Sequence, residues 1–301
     1  MENFYKNKWQ KLLKEDYFPS YLNNLQSFEF LDFEKIINGN NENSEKLLNE
    51  VFNGDSLIIK NVFNRNEIKD LKDAIFNIEI NQKEQNYRMI EECPNFHVSN
   101  KKNNIAPVKD NYDETAHSHY FFRWNKDEIN IFKKFDKIWD LIKVFSGLEK
   151  NSYKLHKPVD LIVDRIQIIR YPLNEGYITT HCDASAWQKL NIGICFNEKG
   201  KEFDEGGLYL LDKDENKINI EEKLEIGDCF CWIPTVFHGV DIPKLNGNKI
   251  KDWNSKSGRW QALALTVQSH KVKNRLLSTG YDRFKKDPLR FKEMYRNTLV
   301  E

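Results

Sequence analysis

The residues best suited to chemistry are a histidine and an aspartate two positions apart, His181 and Asp183, at the end of the strand-like run YITTHC. Successive strand residues face opposite sides, so positions i and i+2 share a face. His238, at the start of a later strand-like run, is the candidate third donor. Two imidazoles and a carboxylate on one face of a metal leave coordination positions open, as in ferrous sites that activate oxygen. The pattern therefore predicts a ferrous centre ligated by His181, Asp183 and His238.

An arginine beyond these donors indicates a second component of the site. Arg259 follows Gly258 and precedes the apolar run WQALALTV, which would carry it into a core. A guanidinium can bind one carboxylate of a dicarboxylic keto acid through two charge-assisted hydrogen bonds while the keto-acid end chelates the iron. An H-x-D tripeptide is weak evidence alone, and a single arginine is more often in a surface salt bridge. The four residues together are far more specific than any one of them.

These side chains need a sheet to bring them together. Short apolar runs separated by turn-forming or polar clusters predict an antiparallel sandwich or barrel. The runs are LIVDRIQIIRY, YITTHC, LNIGICF, GGLYLL, DCFCWI, HGVDI and RWQALALTVQ. We expect a single domain over residues 1–301, in which 1–158 form a helical flank with one strand at Leu57–Lys60. The β core would then span 159–270, and C-terminal helices would span 271–301.

Two helices with apolar faces are predicted in the flank. The first opens at Asn64, which with Glu67 resembles a capping box, and its apolar face carries Ile68, Leu71 and Ile75. The second ends at Gly147 and carries Phe135, Ile138, Trp139, Ile142 and Phe145. Both stripes have the helical period. They need a sheet to cover them.

Taken together, the motifs resemble the 2-oxoglutarate and Fe(II)-dependent dioxygenases, most of all their prolyl-hydroxylase and phytanoyl-CoA-hydroxylase-like branches. The matching segments are R-Y-P…G-Y-x-x-H-x-D at Arg170 to Asp183, GGLYLL, GDCFCWIPTVFHGV and GRWQALALTV. The resemblance implies a mainly β fold with flanking helices around a double-stranded β-helix (jelly-roll, cupin-like) core. It also implies that Arg259 binds the distal carboxylate of 2-oxoglutarate and that Tyr171 points at this co-substrate.

The chain departs from the prolyl-hydroxylase pattern in two places. A long insert, PKLNGNKIKDWNSKS, separates His238 from Arg259, and Cys195 stands where hypoxia-type prolyl hydroxylases carry a second co-substrate tyrosine. The resemblance therefore leaves Gln167 or Gln261 to help hold the keto acid.

The resemblance also implies a reaction. A carboxylate at Asp183 leaves no vacancy for a halide, which favours hydroxylation or a related oxidation over halogenation. The expected reaction uses Fe(II), 2-oxoglutarate and O₂ and releases succinate and CO₂.

The substrate is less well defined by the sequence. Trp187 follows the expected ligands, and His119 and Arg123 lie in the aromatic segment HSHYFFRWN, so these three are candidate substrate contacts. A small-molecule metabolite is the first hypothesis, and a protein side chain is the second. A non-catalytic ligand-binding sandwich would have no need of the full residue set. A zinc hydrolase would leave Arg259 and Tyr171 without a purpose.

Composition narrows the remaining classes. The chain has 301 residues with 46 basic and 46 acidic side chains, so no strong field favours nucleic acid or an anionic membrane. It has no apolar run of about 18 residues for a spanning helix. The N-terminus does not read as a secretory signal, so the cytoplasm is the expected location. Its 5 cysteines lack zinc spacing and are expected to be free thiols, Cys229 and Cys231 included.

Overall fold

The centre of the fold is a 13-stranded sheet that forms two facing layers. The computed structural model describes residues 2–13, 18–101, 112–158, 161–184, 188–273 and 275–286. The helices are α1 (Glu2–Leu12), α2 (Phe30–Gly39), α3 (Glu42–Phe52), α4 (Arg65–Asn81), α5 (Ile131–Phe145) and α6 (Tyr281–Lys286). The strands are β1 (Leu25–Glu29), β2 (Ser56–Lys60), β3 (Phe96–Asn100), β4 (Glu114–Phe122), β5 (Ile162–Pro172), β6 (Tyr177–Cys182), β7 (Asn191–Cys195), β8 (Glu205–Leu211), β9 (Lys217–Asn219), β10 (Cys229–Trp232), β11 (His238–Lys244), β12 (Gly258–Gln268) and β13 (Thr279–Gly280).

The strand order is that of a double-stranded β-helix. The larger layer runs β1-β2-β10-β7-β12-β5-β4, and the smaller runs β6-β11-β8-β9, with β3 paired to β4 and β13 to β6. The pairs are antiparallel except β1 with β2. The predicted fold class is therefore confirmed, and each predicted run of the core forms a strand.

Strand β4 joins the two layers. Its C-terminal part, His117 to Phe122, pairs with β5, whereas Glu114 and Thr115 at its start pair with β6. The sheet therefore turns from one layer to the other along a single strand.

The flanking helices cover the larger layer with apolar faces. In α4 the buried face includes Ile68, Leu71 and Ile75, and in α5 the predicted aromatic and aliphatic stripe is buried in the same cluster as the sheet. Strand β5 is buried along nearly its whole length, as expected of a strand covered on both faces. Burial on both sides explains the near-continuous run of Ile and Val.

The N-terminal half differs from the predicted helical flank with one entry strand, because its described part contains four strands. The predicted strand is β2, but β1 pairs beside it, and β3 and β4 extend the larger layer. At the start of α4, Asn64 accepts a hydrogen bond from the backbone of Asn66, while Glu67 pairs with Lys134 instead of completing a capping box.

The C-terminal segment is shorter in helix than expected over its described part, where β13 precedes α6. Residues 287–301 of the predicted C-terminal helices lie outside the described residues. Among the helices that the structure describes, none has the length and apolar character needed to cross a membrane.

Candidate metal centre

Two strands of the smaller layer bring the predicted donors together. His181 near the end of β6 is paired directly with His238 at the start of β11, and their ring centroids are 4.4 Å apart. Asp183 follows β6, where its backbone N–H donates to the carbonyl of Pro234. Its carboxylate lies 3.5 Å from Nε2 of His181 and 3.3 Å from Nε2 of His238. One ligand atom from each residue lies within 4.8 Å of the others.

Backbone hydrogen bonds fix which nitrogen of each imidazole faces the cluster. Nδ1 of His181 lies 2.9 Å from the carbonyl of Thr179, and Nδ1 of His238 lies 2.9 Å from the carbonyl of Val236. A carbonyl only accepts, so each Nδ1 carries the hydrogen and each neutral ring presents a lone pair at Nε2. Two lone pairs and a carboxylate then converge on one point, an arrangement suited to holding a cation. This donor set fits a divalent metal, and its composition fits ferrous iron.

The carboxylate is held in place by two neutral donors. Asn191 donates to one oxygen of Asp183 at 2.6 Å, and the Ser278 hydroxyl donates to the other at 2.9 Å. Burial works against the charged form, but His238 and His181 outweigh it and hold the pKa of Asp183 well below its usual range. Asp183 is therefore available as an anionic ligand.

Aromatic rings restrict the two imidazoles. Tyr112 stacks on His181 with centroids 5.0 Å apart, and the Trp232 ring meets His238 edge-on at 5.1 Å. Hydrogen bonds at Nδ1 and ring contacts on the faces together leave each imidazole little freedom to turn.

The donors open onto a cavity of about 290 Å³ between the layers. Tyr171, Gln167 and Gln261, all predicted co-substrate contacts, line it together with the three donors. Its wall is completed by the segment from Arg275 to Ser278. The volume lies at the small end of the range for small-molecule sites.

Arg259 lies on the same face of β12 as the residues that line the cavity, but it does not line the cavity itself. It is paired in register with Tyr171, and its guanidinium carbon is 5.8 Å from the centroid of that ring. Its Nε forms an ion pair with Glu221, and both side chains are buried. Nη1 of Arg259 is buried with no hydrogen-bond partner among the described residues. An unsatisfied buried donor is costly, so this nitrogen is suited to an anionic acceptor.

The two glutamines differ in how much they are already engaged. Gln167 donates to Ser118 and Tyr120, each at 3.2 Å, and accepts from Arg165. Gln261 is buried and faces the cavity opposite Cys195 in the neighbouring strand. The Cys195 thiol donates to the carbonyl of Asn197, and burial raises its pKa to about 12.

Two of the three expected substrate contacts, His119 and Arg123, do not line this cavity. His119 does not line it; its Nε2 lies 3.1 Å from Glu79 on the opposite face of β4. Arg123 follows β4 and forms ion pairs with the buried Asp164 and the half-buried Asp136. Side chains alternate between the two faces of β4, and Tyr120 faces the cavity, so its neighbour His119 faces away from it. Trp187 lies outside the described residues.

Sequence reasoning missed cavity residues that alternation could have found. Arg165 has the same parity on β5 as the predicted contacts Gln167 and Tyr171, so it shares their face, and all three line the cavity. Glu114, Tyr112 and Arg275 also line it. They come from segments that the sequence pattern did not connect with the core.

A second buried histidine cluster lies on the other face of β3 and β4. His97 and His117 are joined at 3.0 Å, and His119 stacks on His97 with centroids 4.3 Å apart. Glu79 of α4 lies against this group and forms an ion pair with Arg170. The guanidinium of Arg170 balances the charge of Glu79, whereas Nδ1 of His97 and Nε2 of His117 are buried without a hydrogen-bond partner among the described residues.

The same arginine holds the long insert in place. Arg170 donates to the backbone carbonyls of Trp253 and Ser255, at 2.9 Å and 2.8 Å. The insert between His238 and Arg259 is therefore anchored to β5 on the face away from the cavity.

The five cysteines are all buried with free thiols, as predicted. Cys229 and Cys231 lie on β10 and belong to neither of the metal-donor groups found in the described part of the chain.

No protein-family model matches the sequence, and no curated protein matches it significantly. Solved structures do match in fold. A full-length Neurospora crassa protein, in complex with alpha-KG and thymine, is 12% identical with a TM-score of 0.51, over 82% of this chain and 87% of that one. A Pseudomonas putida prolyl-4-hydroxylase is 11% identical (73% and 96% covered, TM-score 0.45). A rice dioxygenase for auxin oxidation is 10% identical (89% and 95% covered, TM-score 0.46).

Of these three, the Neurospora crassa protein alone exceeds a TM-score of 0.5, so the fold comparison rests on it. The chain shares the double-stranded β-helix fold with that protein. The resemblance predicted from the motifs is thus found again at the level of the fold.

Proposed function

We propose that the chain is an Fe(II)- and 2-oxoglutarate-dependent dioxygenase that hydroxylates, or otherwise oxidises, a small-molecule metabolite. The observation that carries the proposal is the convergence of two Nε2 lone pairs and the Asp183 carboxylate on one point beside a cavity. Such a set binds a metal from one side and leaves room for other ligands on the cavity side. The fold shared with the Neurospora crassa protein supports the same conclusion.

In this proposal His181, Asp183 and His238 hold the iron. The metal, with O₂ and 2-oxoglutarate, would supply the oxidation of a C–H bond, with succinate and CO₂ as the other products. The protein supplies ligand orientation, since Ser278 and Asn191 hold the carboxylate. Partners in this outer position typically affect metal affinity by about 10- to 100-fold.

Arg259 and Tyr171 would hold the distal carboxylate of 2-oxoglutarate. The buried Nη1 of Arg259 supports this assignment, because it has no partner among the described residues and needs an acceptor. Glu221 already binds Nε of Arg259 and keeps the guanidinium in position from behind. A carboxylate in front of it would gain a charge-assisted bond, worth about 1.5–3 kcal/mol. Gln261 is the better placed of the two glutamines to assist, because Gln167 is already engaged.

A small molecule fits this cavity better than a protein side chain. The space lies between the two layers, and the segment Arg275 to Ser278 together with Tyr112 forms part of its wall. A volume of about 290 Å³ suits a co-substrate with a compact metabolite.

The test is succinate formation from 2-oxoglutarate with added Fe(II), screened over candidate metabolites, together with calorimetric titration of Mn(II). Asp183→Ala and His238→Ala should each abolish turnover and metal binding. His156→Ala is the matched control, because this histidine is exposed and does not line the cavity. Metal binding that persists unchanged in both triad variants would reject the ligand assignment.

Arg259→Ala should mainly raise the 2-oxoglutarate concentration required for half-maximal turnover. Losing a charged hydrogen bond predicts a change of about 10- to 100-fold. If the 2-oxoglutarate concentration for half-maximal turnover did not change, another cation would bind the keto acid. A protein that binds Mn(II) and 2-oxoglutarate yet forms no succinate with any metabolite would be a silent ligand-binding scaffold.

A further inference from the structure

The cavity of the proposed metal centre carries an arginine whose charge is not balanced by any carboxylate within ion-pair distance among the described residues. Arg165 of β5 lines the cavity, with its guanidinium carbon 5.2 Å from the centroid of the Tyr120 ring. Its Nη2 donates to Gln167 at 2.9 Å, and its Nη1 lies 3.3 Å from the sulfur of Met89. Both partners are neutral. Nε of Arg165 is buried and has no hydrogen-bond partner in the described part of the chain.

This arrangement is unusual for an arginine that is half-buried and whose Nε is fully buried. Burying a guanidinium is costly unless an anion pairs with it. Elsewhere in the described chain, Arg123, Arg170 and Arg259 meet that need through ion pairs with carboxylates. Arg165 forms no ion pair with a carboxylate of the described residues. An anion bound in the cavity would offset the free-energy cost of burying the guanidinium of Arg165.

Other cations lie around the same part of the cavity. Arg275 also lines the cavity. Arg88 donates a hydrogen bond to the backbone carbonyl of His270. Burial, followed by the charges of Arg275, Arg88 and Arg165, lowers the pKa of His270 to about 4. Contacts place Arg165 beside the same segment, because its Nη1 lies 3.3 Å from the sulfur of Met89, whose backbone N–H donates to Nδ1 of His270 at 2.7 Å.

A carboxylate in the same cavity does not cancel this charge. Glu114 lines the wall, but it accepts a hydrogen bond from Asn100 and is not within ion-pair distance of Arg165 among the contacts of the described residues. Burial raises the pKa of Glu114, which works against its charged form. Asp183 also lines the cavity, but its carboxylate faces His181 and His238, so neither carboxylate forms an ion pair with Arg165 in the described part of the chain.

We propose that the substrate is an oxyanion, carrying a carboxylate or a phosphate group that binds Arg165 and Arg275 while the carbon to be oxidised faces the metal centre. The guanidinium fork suits both groups, because each presents two oxygens in a plane. The orientation relative to the metal rests on the proposed function. Binding of the anion does not.

The experiment is calorimetric titration of protein loaded with Mn(II) and 2-oxoglutarate, so that the keto-acid site is filled. The probes are benzoate, phenyl phosphate and the neutral isostere benzamide. We expect one or both anions to bind and benzamide to bind at least tenfold more weakly. The preferred anion distinguishes a carboxylate substrate from a phosphate one. Equal binding of all three probes, or binding of none, would overturn the proposal.

The variants are Arg165→Gln and Arg275→Gln, each compared with Arg65→Gln. Arg65 is an exposed arginine on α4 that does not line this cavity. Each cavity variant should weaken the anion at least tenfold, and the control should not. Because Arg165 is largely buried, Arg165→Lys provides a second variant that keeps the charge and should retain part of the affinity. Unchanged anion binding in both glutamine variants would refute the assignment.

The same titrations separate this inference from the proposed function. In Arg165→Gln, affinity for 2-oxoglutarate should stay within about twofold of wild type. If 2-oxoglutarate binding fails in that variant and survives in Arg259→Ala, then Arg165 holds the co-substrate and the inference is wrong. The protein could also bind the anion through Arg165 and yet fail to bind Mn(II). That result would support the anion site and reject the proposed iron-dependent function.

Discussion

Acidification should destabilise this protein through its buried histidine cluster. His97 and His117 are only 3% and 2% exposed. Burial lowers the pKa of His97 to about 4 and that of His117 to about 3. An unfolded histidine has a pKa of about 6.5. As the pH falls from 6.5 towards 4, the unfolded chain therefore takes up protons that the folded protein does not.

The sign of the effect follows from proton linkage: wherever the unfolded state binds more protons, the free energy of unfolding decreases as the pH is lowered. Each ring contributes a slope that approaches about 1.36 kcal/mol per pH unit. Between pH 6.5 and 5, the two rings together remove about 3 kcal/mol from the free energy of unfolding. That is a large share of the roughly 5–15 kcal/mol of a typical domain.

A carboxylate in the same cluster extends the effect to lower pH. Burial raises the pKa of Glu79, but hydrogen bonds from His119 and Arg170 outweigh burial and hold it at about 2. This depressed value contributes stability that is present above the unfolded pKa and is lost as the pH falls towards 2. Both kinds of group therefore act in the same direction.

The assay is urea unfolding followed by tryptophan fluorescence at pH values of about 7.5, 6.5, 5.5 and 5.0, chosen to span the histidine window. Replacing one titrating ring, in His97→Gln or His117→Gln, should make the pH slope shallower by about 1 kcal/mol per unit. The exposed residue His156, changed to Gln, is the control. A slope in both cluster variants equal to that of wild type would refute the reasoning, whatever their absolute stability.

Three further predictions concern other buried contacts. Asp164→Ala should lower the free energy of unfolding by about 3–5 kcal/mol, measured in urea, because it leaves the buried ammonium of Lys143 without its carboxylate. Gly258→Ala should destabilise the protein and raise the 2-oxoglutarate requirement, since its φ is +133° and a Cβ would lie 2.2 Å from the carbonyl oxygen of Tyr171. Ser278→Ala should weaken Mn(II) binding by calorimetry about 10-fold or more, by releasing one oxygen of the ligand carboxylate. A loss under about 1 kcal/mol in Asp164→Ala would contradict the first prediction. Wild-type stability of Gly258→Ala would contradict the second. Unchanged metal affinity of Ser278→Ala would contradict the third.

The sequence was sufficient to predict the β core because its signal is local. A strand such as β5 is recognisable from its high content of Ile and Val. Parity along β6 placed His181 and Asp183 on one side. Tyr171 and His238 could be associated with them through motifs. The roles of these residues remain predictions, but their meeting at one cavity is a feature of the fold.

Long-range pairing was beyond what the sequence pattern could predict. Strand β4 contains His117 and His119, whose alternation with Ser118 and Tyr120 does not reveal which face is inside. Only the register with β5 decides this, and it places both histidines outside the cavity. Likewise, Arg275 is far along the chain from β5, and nothing local indicates that it shares a wall with Arg165.

The way β4 joins the two layers has a practical consequence for fragment design. A recombinant fragment starting at residue 159 would keep every strand that bears a proposed ligand, yet it would lack the partner of β5 on one side and of the start of β6 on the other. Its exposed edges would invite self-association. Deletion mapping from the N-terminus should therefore report aggregation before it reports the limits of activity.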